Sequence, residues 1–131
     1  MASCPAYLAA FFGRFVLLVR PTAKRLGIDE DYLLTLAAHE HNWSGAHNDC
    51  LHNLFGTTHA GGNNLAYESD EEAVQSWETH YGGGVRGSKS LTDFVARLRA
   101  IGYNSNDPDY DHKMAQTYSA VVSHKAACGV K

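Results

Sequence analysis

The sequence contains no long uninterrupted apolar run. The longest, residues 11–19, is broken by Gly13 and Arg14, whereas a helix that crosses a bilayer needs about 20 apolar residues. The first residues, Met1 to Cys4, also lack the charged and apolar segments that precede a secretory cleavage site. We therefore predict no signal peptide and no membrane insertion.

Positive charge is scarce as well. The chain has 11 Lys and Arg residues against 14 Asp and Glu residues, a net charge of −3 with His neutral. Nucleic-acid-binding proteins usually carry a basic patch, and no cluster of Lys and Arg stands out along this chain. Nucleic acid is therefore not expected as a partner.

Cysteine is rare, with residues at positions 4, 50 and 128 alone. An odd number cannot form a complete disulfide framework, although one bridge remains possible. Because no secretory signal is evident, we expect the thiols to be reduced.

What the chain does contain predicts helices. Its 131 residues fit one compact domain, residues 1–131. Apolar periodicity and capping residues predict about five helices, which begin near Pro5, Glu30, Asp70, Leu91 and Pro108.

Several boundaries and one lobe follow from breaker residues and composition. Pro21 is expected to end or kink the first helix, and Gly82–Gly84 to stop the third. Residues 44–68 are rich in Gly, Asn and His, which predicts an irregular or hairpin lobe after the second helix. The last helix is expected to bury the stripe Tyr110, Met114, Tyr118, Val121 and Val122.

Glu40 stands out in the second predicted helix. It follows Leu33, Leu36 and Ala37 by seven, four and three positions and therefore shares their apolar face. Burial of a carboxyl group disfavours its charged form, and a carboxylic acid that keeps its proton can act as the general acid of a glycosidase. The alternative is a solvated or ion-paired Glu at the end of the helix.

Four segments carry a resemblance to a known family, and the first is LTLAAHEHNWSG at residues 34–45. It is similar to the catalytic helix of the autolysin and flagellar-type N-acetylglucosaminidases, a lysozyme-like group within glycoside hydrolase family 73. The same order continues with NLFG at 53–56, YESDEEA at 67–73 and GYNSNDPDY at 102–110. The resemblance covers nearly the whole chain and implies a mainly α, lysozyme-like fold.

The resemblance also implies roles for individual residues. Glu40 would be the general acid, and Tyr103 would line the site near the scissile bond, unless it only packs over the last helix. Asn53 and Phe55 match the segment that shapes the groove, with Phe55 alternatively in the core. The implied substrate-binding set is completed by Tyr67 and Trp43, although a tryptophan in the position of Trp43 is more often a packing residue beneath the cleft than a platform for a sugar.

The second carboxylate departs from the family pattern. Family members place it between the NLFG segment and the tyrosine, but residues 57–66 contain no acid. Glu68 is the nearest candidate, and the alternative is a solvated residue just before the Ser69 cap. Without a carboxylate about 5 Å from Glu40, a covalent glycosyl-enzyme is excluded, which leaves water attack or assistance by the substrate's own N-acetyl group.

A histidine cluster raises the alternative of a zinc site. His39 and His41 are two positions apart on a helix, so they point in divergent directions, and the HExxH spacing is absent. We therefore predict no metal and no cofactor, with a zinc-dependent hydrolase as the alternative. The other members of the cluster are His47, Asp49, Cys50, His52 and His59.

Together the resemblance implies an enzyme that cleaves the β-1,4 glycan strands of peptidoglycan. N-acetylglucosaminidase specificity is expected, with muramidase specificity or a non-catalytic glycan-binding module as alternatives. Without a signal peptide, the protein would be made in the cytoplasm and delivered to the periplasm or cell wall. An antibacterial secreted effector, which would need a cognate immunity protein, and a phage lysin both fit this setting.

Overall fold

Five helices account for most of the described structure, in agreement with the predicted mainly α class. The structure is a computed structural model that describes residues 3–41, 43, 55, 66–103 and 107–131, with the backbone alone at position 41. The third helix continues into a π-helical segment, Glu78–Gly82, and a further turn, Gly83–Val85. The helices are α1 (Ala6–Leu26), α2 (Glu30–His41), α3 (Asp70–Trp77), α4 (Leu91–Ala100) and α5 (Tyr110–Ala127).

Helix α2 is the centre of the packing. Residues 32–38 are buried on every side of the helix, because α1 and α5 both pack against it. A Lys125 ammonium of α5 lies 2.7 Å from the Asp31 carboxylate, and the Arg20 guanidinium of α1 lies 2.8 Å from Glu30. The first turn of α2 is therefore held from both neighbouring helices.

The predicted helix starts agree with the capping contacts. The Asp29 carboxylate accepts a hydrogen bond of 2.9 Å from the Asp31 N–H. Ser69 accepts one of 3.1 Å from the Glu72 N–H, and Ser90 caps α4 in the same way. Each cap satisfies an amide at the open end of its helix.

Helix α1 continues through Pro21 to Leu26, so Pro21 does not end the helix, and the alternative of a kink at this residue stays a prediction. Pro21 has no N–H to donate to the Leu17 carbonyl. Both residues lie on the exposed face of α1, with Leu17 73% exposed, so water can reach that carbonyl. Ala23 and Leu26 are buried and hold the last turn in the core.

The glycine run 82–84 does not stop the third helical segment either. A Cβ on Gly82 would lie 3.2 Å from a methyl carbon of Leu26, and one on Gly84 would lie 2.9 Å from Cγ2 of Ile101. These glycines therefore permit close packing within a helical path, which their sequence alone did not reveal.

A disulfide joins Cys4 to Cys128, with Cα atoms 4.9 Å apart. The expectation of reduced thiols was therefore wrong for these two residues. The bridge links the chain before α1 to the residue after α5, positions separated by 124 residues, and such a pairing depends on the tertiary fold. Cys50 lies outside the described residues.

Helix α1 is long and apolar enough, by length and composition, to cross a membrane. The helix is longer than the apolar run 11–19 because it begins at Ala6 and continues beyond Pro21 to Leu26. Nine of its 21 residues are buried inside the fold, where they pack against α2 and α3. The absence of membrane insertion stays a prediction.

Helix α5 departs from the sequence expectation at its start and at one residue of its predicted buried stripe. It begins at Tyr110, with Asp109 in the N-cap position, rather than at Pro108. The Asp107 carboxylate lies two residues before this N-cap and accepts a hydrogen bond of 2.9 Å from the Asp109 N–H. Val122, predicted to be buried, is 43% exposed, whereas Tyr110, Met114 and Val121 are fully buried.

Candidate active site

Glu40 lies in the last turn of α2, where the helix emerges from the core. The seven residues 32–38 are buried, and His39 and Glu40 are partly buried. The carboxyl group is therefore fixed by a rigid, centrally packed helix while part of its surface stays accessible. A residue that must meet a bound substrate needs both properties.

Trp43 lies two residues after the end of α2, and its backbone is left-handed, with φ at 56°. Its N–H donates to the Ala38 carbonyl at 3.3 Å. The indole ring meets Phe11 at 5.0 Å and the ring of His124 at 5.5 Å. A bulky residue at positive φ is costly, and these contacts hold it there. The packing alternative for Trp43 therefore has direct support.

Tyr103 connects the turn after α4 to Phe55. Its hydroxyl donates a hydrogen bond of 2.6 Å to the Phe55 carbonyl, and its side chain is buried. Gly102, at φ +91°, precedes it, and the Tyr103 N–H donates to the Leu98 carbonyl at 2.9 Å. The positive φ of the glycine turns the chain so that Tyr103 enters the core.

The electrostatic surroundings keep the Tyr103 hydroxyl protonated. Burial raises the pKa of this phenol well above its usual value of 10.0, and the nearby Glu40 carboxylate is the next largest cause. The hydroxyls of Tyr110 and Tyr81 raise the pKa further, and the indole N–H of Trp77 lowers it slightly. Glu40 therefore has a neutral hydrogen-bonding hydroxyl, not a phenolate, in its vicinity.

An aromatic cluster surrounds this hydroxyl. The Phe55 ring packs on Trp77 at 5.0 Å, and Trp77 faces Tyr81 at 6.4 Å. The ring centroids of Tyr81 and Tyr103 lie 5.2 Å apart, and the two rings are perpendicular in an edge-to-face arrangement. Trp77 and Tyr81 fall within the third predicted helix, between Asp70 and the glycine run, but the sequence assigns them no role, because their spacing of four residues is the only signal they carry.

His39 points toward α5 instead. Its ring lies 5.4 Å from the Tyr110 ring. Burial lowers the pKa of His39 below 6.5, the positive charge of Lys113 lowers it further, and Asp107 opposes the shift. Within the described residues, no group of three or more His, Cys, Asp or Glu side chains is arranged to hold a metal. His47, His52 and His59 lie outside the described residues.

The structure relates three of the predicted site residues to one another. The Glu40 carboxylate raises the pKa of the Tyr103 hydroxyl, and that hydroxyl donates a hydrogen bond to the Phe55 carbonyl. Tyr67 is partly buried and Glu68 is exposed, both just before the Ser69 cap of α3. Asn53 lies outside the described residues.

Other carboxylates of this region are engaged in ion pairs between helices. The Asp70 carboxylate lies 2.8 Å from the Arg14 guanidinium, and Glu78 lies 2.7 Å from Arg25. Arg25 and Thr22 lower the pKa of Glu78, a shift that burial opposes. Carboxylates held in this way connect α3 to α1 and are poor candidates for binding a nucleophilic water.

Comparison with solved structures identifies the fold. One match is a chain from a type VI secretion system effector–immunity complex of Pseudomonas protegens, at 23% identity and TM-score 0.84 over 94% of this chain and 97% of that chain. A peptidoglycan hydrolase from Sphingomonas sp. A1 matches at 23% identity and TM-score 0.79, over 94% and 96% of the two chains.

A third match is a C-terminally truncated glycoside hydrolase domain of FlgJ from Salmonella typhimurium. It has 18% identity and TM-score 0.68, over 88% of this chain and 97% of that chain. No family model and no curated protein matches the sequence. The structural matches confirm the mainly α, lysozyme-like fold, consistent with the family resemblance.

Proposed function

We propose that this protein is a glycoside hydrolase that cleaves the β-1,4 glycan backbone of peptidoglycan, with Glu40 as its general acid. The observation that carries the proposal is the position of Glu40, partly buried at the end of α2 and beside the buried Tyr103. The fold shared with a peptidoglycan hydrolase and a glycoside hydrolase domain supports it.

In the proposed reaction, Glu40 donates its proton to the glycosidic oxygen as the bond from that oxygen to the sugar C1 breaks. Positive charge develops on the ring, and water then adds to C1 and loses its proton to a base. Glu68 is our candidate for this base. The substrate's own N-acetyl oxygen, attacking C1 before water does, is the alternative.

N-acetylglucosaminidase specificity is proposed from the sequence resemblance, with muramidase specificity as the alternative. The two differ in the sugar that carries the new reducing end. Reduction of the products with borohydride, followed by mass spectrometry, distinguishes them. Reduced N-acetylglucosamine ends are expected, and reduced N-acetylmuramic acid ends would replace the first assignment by the second.

The central test is Glu40→Gln, which keeps the side-chain size and removes the transferable proton. Turnover of purified peptidoglycan should fall by at least about 100-fold, since general acid catalysis contributes roughly 10²–10⁴-fold. Glu71→Gln is the matched control, because Glu71 is exposed in the first turn of α3. Equal turnover by Glu40→Gln and the parent would refute the assignment.

The same turnover assay, with a binding measurement and an EDTA control added, separates the remaining alternatives. A non-catalytic glycan-binding module would bind peptidoglycan without releasing products in either protein. A zinc-dependent hydrolase would lose activity in EDTA and regain it with added zinc. We expect activity to be unchanged by EDTA.

We further propose that the protein is delivered to the periplasm as an antibacterial effector, with a phage lysin as the alternative. The similarity to a chain from an effector–immunity complex supports this setting, as does the Cys4–Cys128 disulfide, because such bridges persist in oxidising compartments. A bacterial host should be killed by the exported protein but not by a cytoplasmic form. A cognate immunity protein would prevent the killing.

A further inference from the structure

Tyr81 is the accessible ring of the aromatic cluster beside Glu40. Phe55, Trp77 and Tyr103 are at most 7% exposed, whereas Tyr81 is partly exposed. Tyr81 contacts Tyr103 edge to face at 5.2 Å, and the Glu40 carboxylate acts electrostatically on that same Tyr103. Among the four rings, a molecule approaching from solvent would therefore meet Tyr81.

The backbone that carries Tyr81 is unusual. Tyr81 lies in the π-helical segment Glu78–Gly82, and π-helical insertions are rare and frequent at functional sites. A Cβ on Gly83 would meet nothing within 4 Å, so the surface just after Tyr81 is open. Ile101, which is 38% exposed, packs over Gly84 and adds apolar surface nearby.

We propose that Tyr81 is a sugar-binding residue, on whose ring a pyranose of the glycan strand stacks next to the cleavage site. The inference rests on the proposed function and extends it to a binding residue. The C–H face of a pyranose is apolar and suits a flat aromatic surface, while the phenolic hydroxyl can stay in water. The ring would align the strand relative to Glu40 without taking part in proton transfer.

The test compares Tyr81→Leu, Tyr81→Phe and Tyr7→Phe. Leucine keeps an apolar side chain against Tyr103 but removes the flat ring, and phenylalanine keeps the ring without the hydroxyl. Tyr7 is 55% exposed on α1 and serves as the control for a surface tyrosine. For Tyr81→Leu, KM for soluble glycan strands should rise roughly 3- to 10-fold, with a smaller change in kcat. Tyr81→Phe should raise KM less than Tyr81→Leu does, because the ring is retained, and Tyr7→Phe should match the parent.

Binding is also measured directly, with each change made in the Glu40→Gln protein and an N-acetylglucosamine hexamer as the probe. Tyr81→Leu should weaken binding of the hexamer by the same 3- to 10-fold, at an unchanged midpoint of thermal unfolding. Equal affinity with leucine and tyrosine at position 81 would overturn the inference while leaving the role of Glu40 intact. If the Glu40→Gln protein bound no hexamer at all, the binding role of Tyr81 would also be refuted.

Discussion

The hydroxyl of Tyr103 is bonded to the Phe55 carbonyl at 2.6 Å, across 48 positions of the sequence. The bond joins two segments, NLFG and GYNSNDPDY, that sequence comparison could only place in order along the chain. It also occupies the Tyr103 hydroxyl as a donor. Tyr103 therefore holds Phe55 in position from within the core, in addition to any contact with substrate.

We predict that Tyr103→Phe destabilises the protein by about 1–3 kcal/mol, because the buried Phe55 carbonyl loses its donor. Chemical denaturation of the variant and the parent measures the difference. Tyr7→Phe is the control, since Tyr7 is exposed and its substitution should leave stability unchanged. An equally stable Tyr103→Phe protein would show that the hydrogen bond contributes little.

His39 should make stability depend on pH. Burial, with a smaller contribution from Lys113, lowers its pKa in the folded protein below the ordinary value of 6.5. The unfolded chain therefore binds this proton more readily, and stability falls as pH decreases through about 6.5 toward the lower folded pKa. Above about 6.5 the contribution of His39 is fully present.

The measurement is urea denaturation at pH 5, 6, 7 and 8. The parent should lose stability toward pH 5, and His39→Gln should lose less over the same range. His112→Gln is the control, because His112 is exposed on the same helix that His39 packs against. Identical pH profiles for His39→Gln and the parent would contradict the prediction.

The candidate base is tested by Glu68→Gln. If Glu68 activates water, kcat should fall by roughly 10²-fold or more while stability changes by a few tenths of a kcal/mol, because the side chain is exposed. Glu71→Gln, three positions further along, is the matched control. A near-normal rate for Glu68→Gln would exclude Glu68 as the base. The anomeric configuration of the product would then show whether another acid, with inversion, or the substrate's own N-acetyl group, with retention, completes the reaction.

Helix starts were predictable because their signals are local. Ser69 and Ser90 each bind an amide three residues ahead, a contact that sequence spacing displays directly. The ends were harder to predict. Pro21 fits within α1 because its face of the helix is exposed, and Gly84 fits within a helical turn because Ile101 packs against it. Both conditions depend on the tertiary structure and cannot be predicted from the neighbouring residues in the sequence.

The residues of the candidate site also differ in whether the sequence could predict them. Glu40 could be named from its place on an apolar helix face, and Tyr103 from the family resemblance. Tyr81 could not, since its contact with Tyr103 joins residues 22 positions apart and exists only after the turn Gly83–Val85 packs against α4. The Cys4–Cys128 bridge is a further tertiary contact, and it was not expected because no secretory signal is evident in the sequence.

That bridge leads to the last prediction. The loss of chain entropy in the unfolded state assigns roughly 4–5 kcal/mol to a disulfide that closes a loop of this length. Reduction should therefore lower the midpoint of thermal unfolding by roughly 10 °C or more, as should the double substitution Cys4→Ser and Cys128→Ser. Cys50→Ser is the control, because it leaves the bridge intact and the protein sensitive to reductant. If the parent, shown by thiol alkylation to be reduced, unfolded at the same temperature as the oxidised protein, the bridge would have no stabilising role.

The bridge should also affect activity at high temperature. Helix α5 ends at this bridge and packs along α2, the helix that carries Glu40. As the temperature approaches unfolding, glycan cleavage should therefore be lost first in the reduced protein.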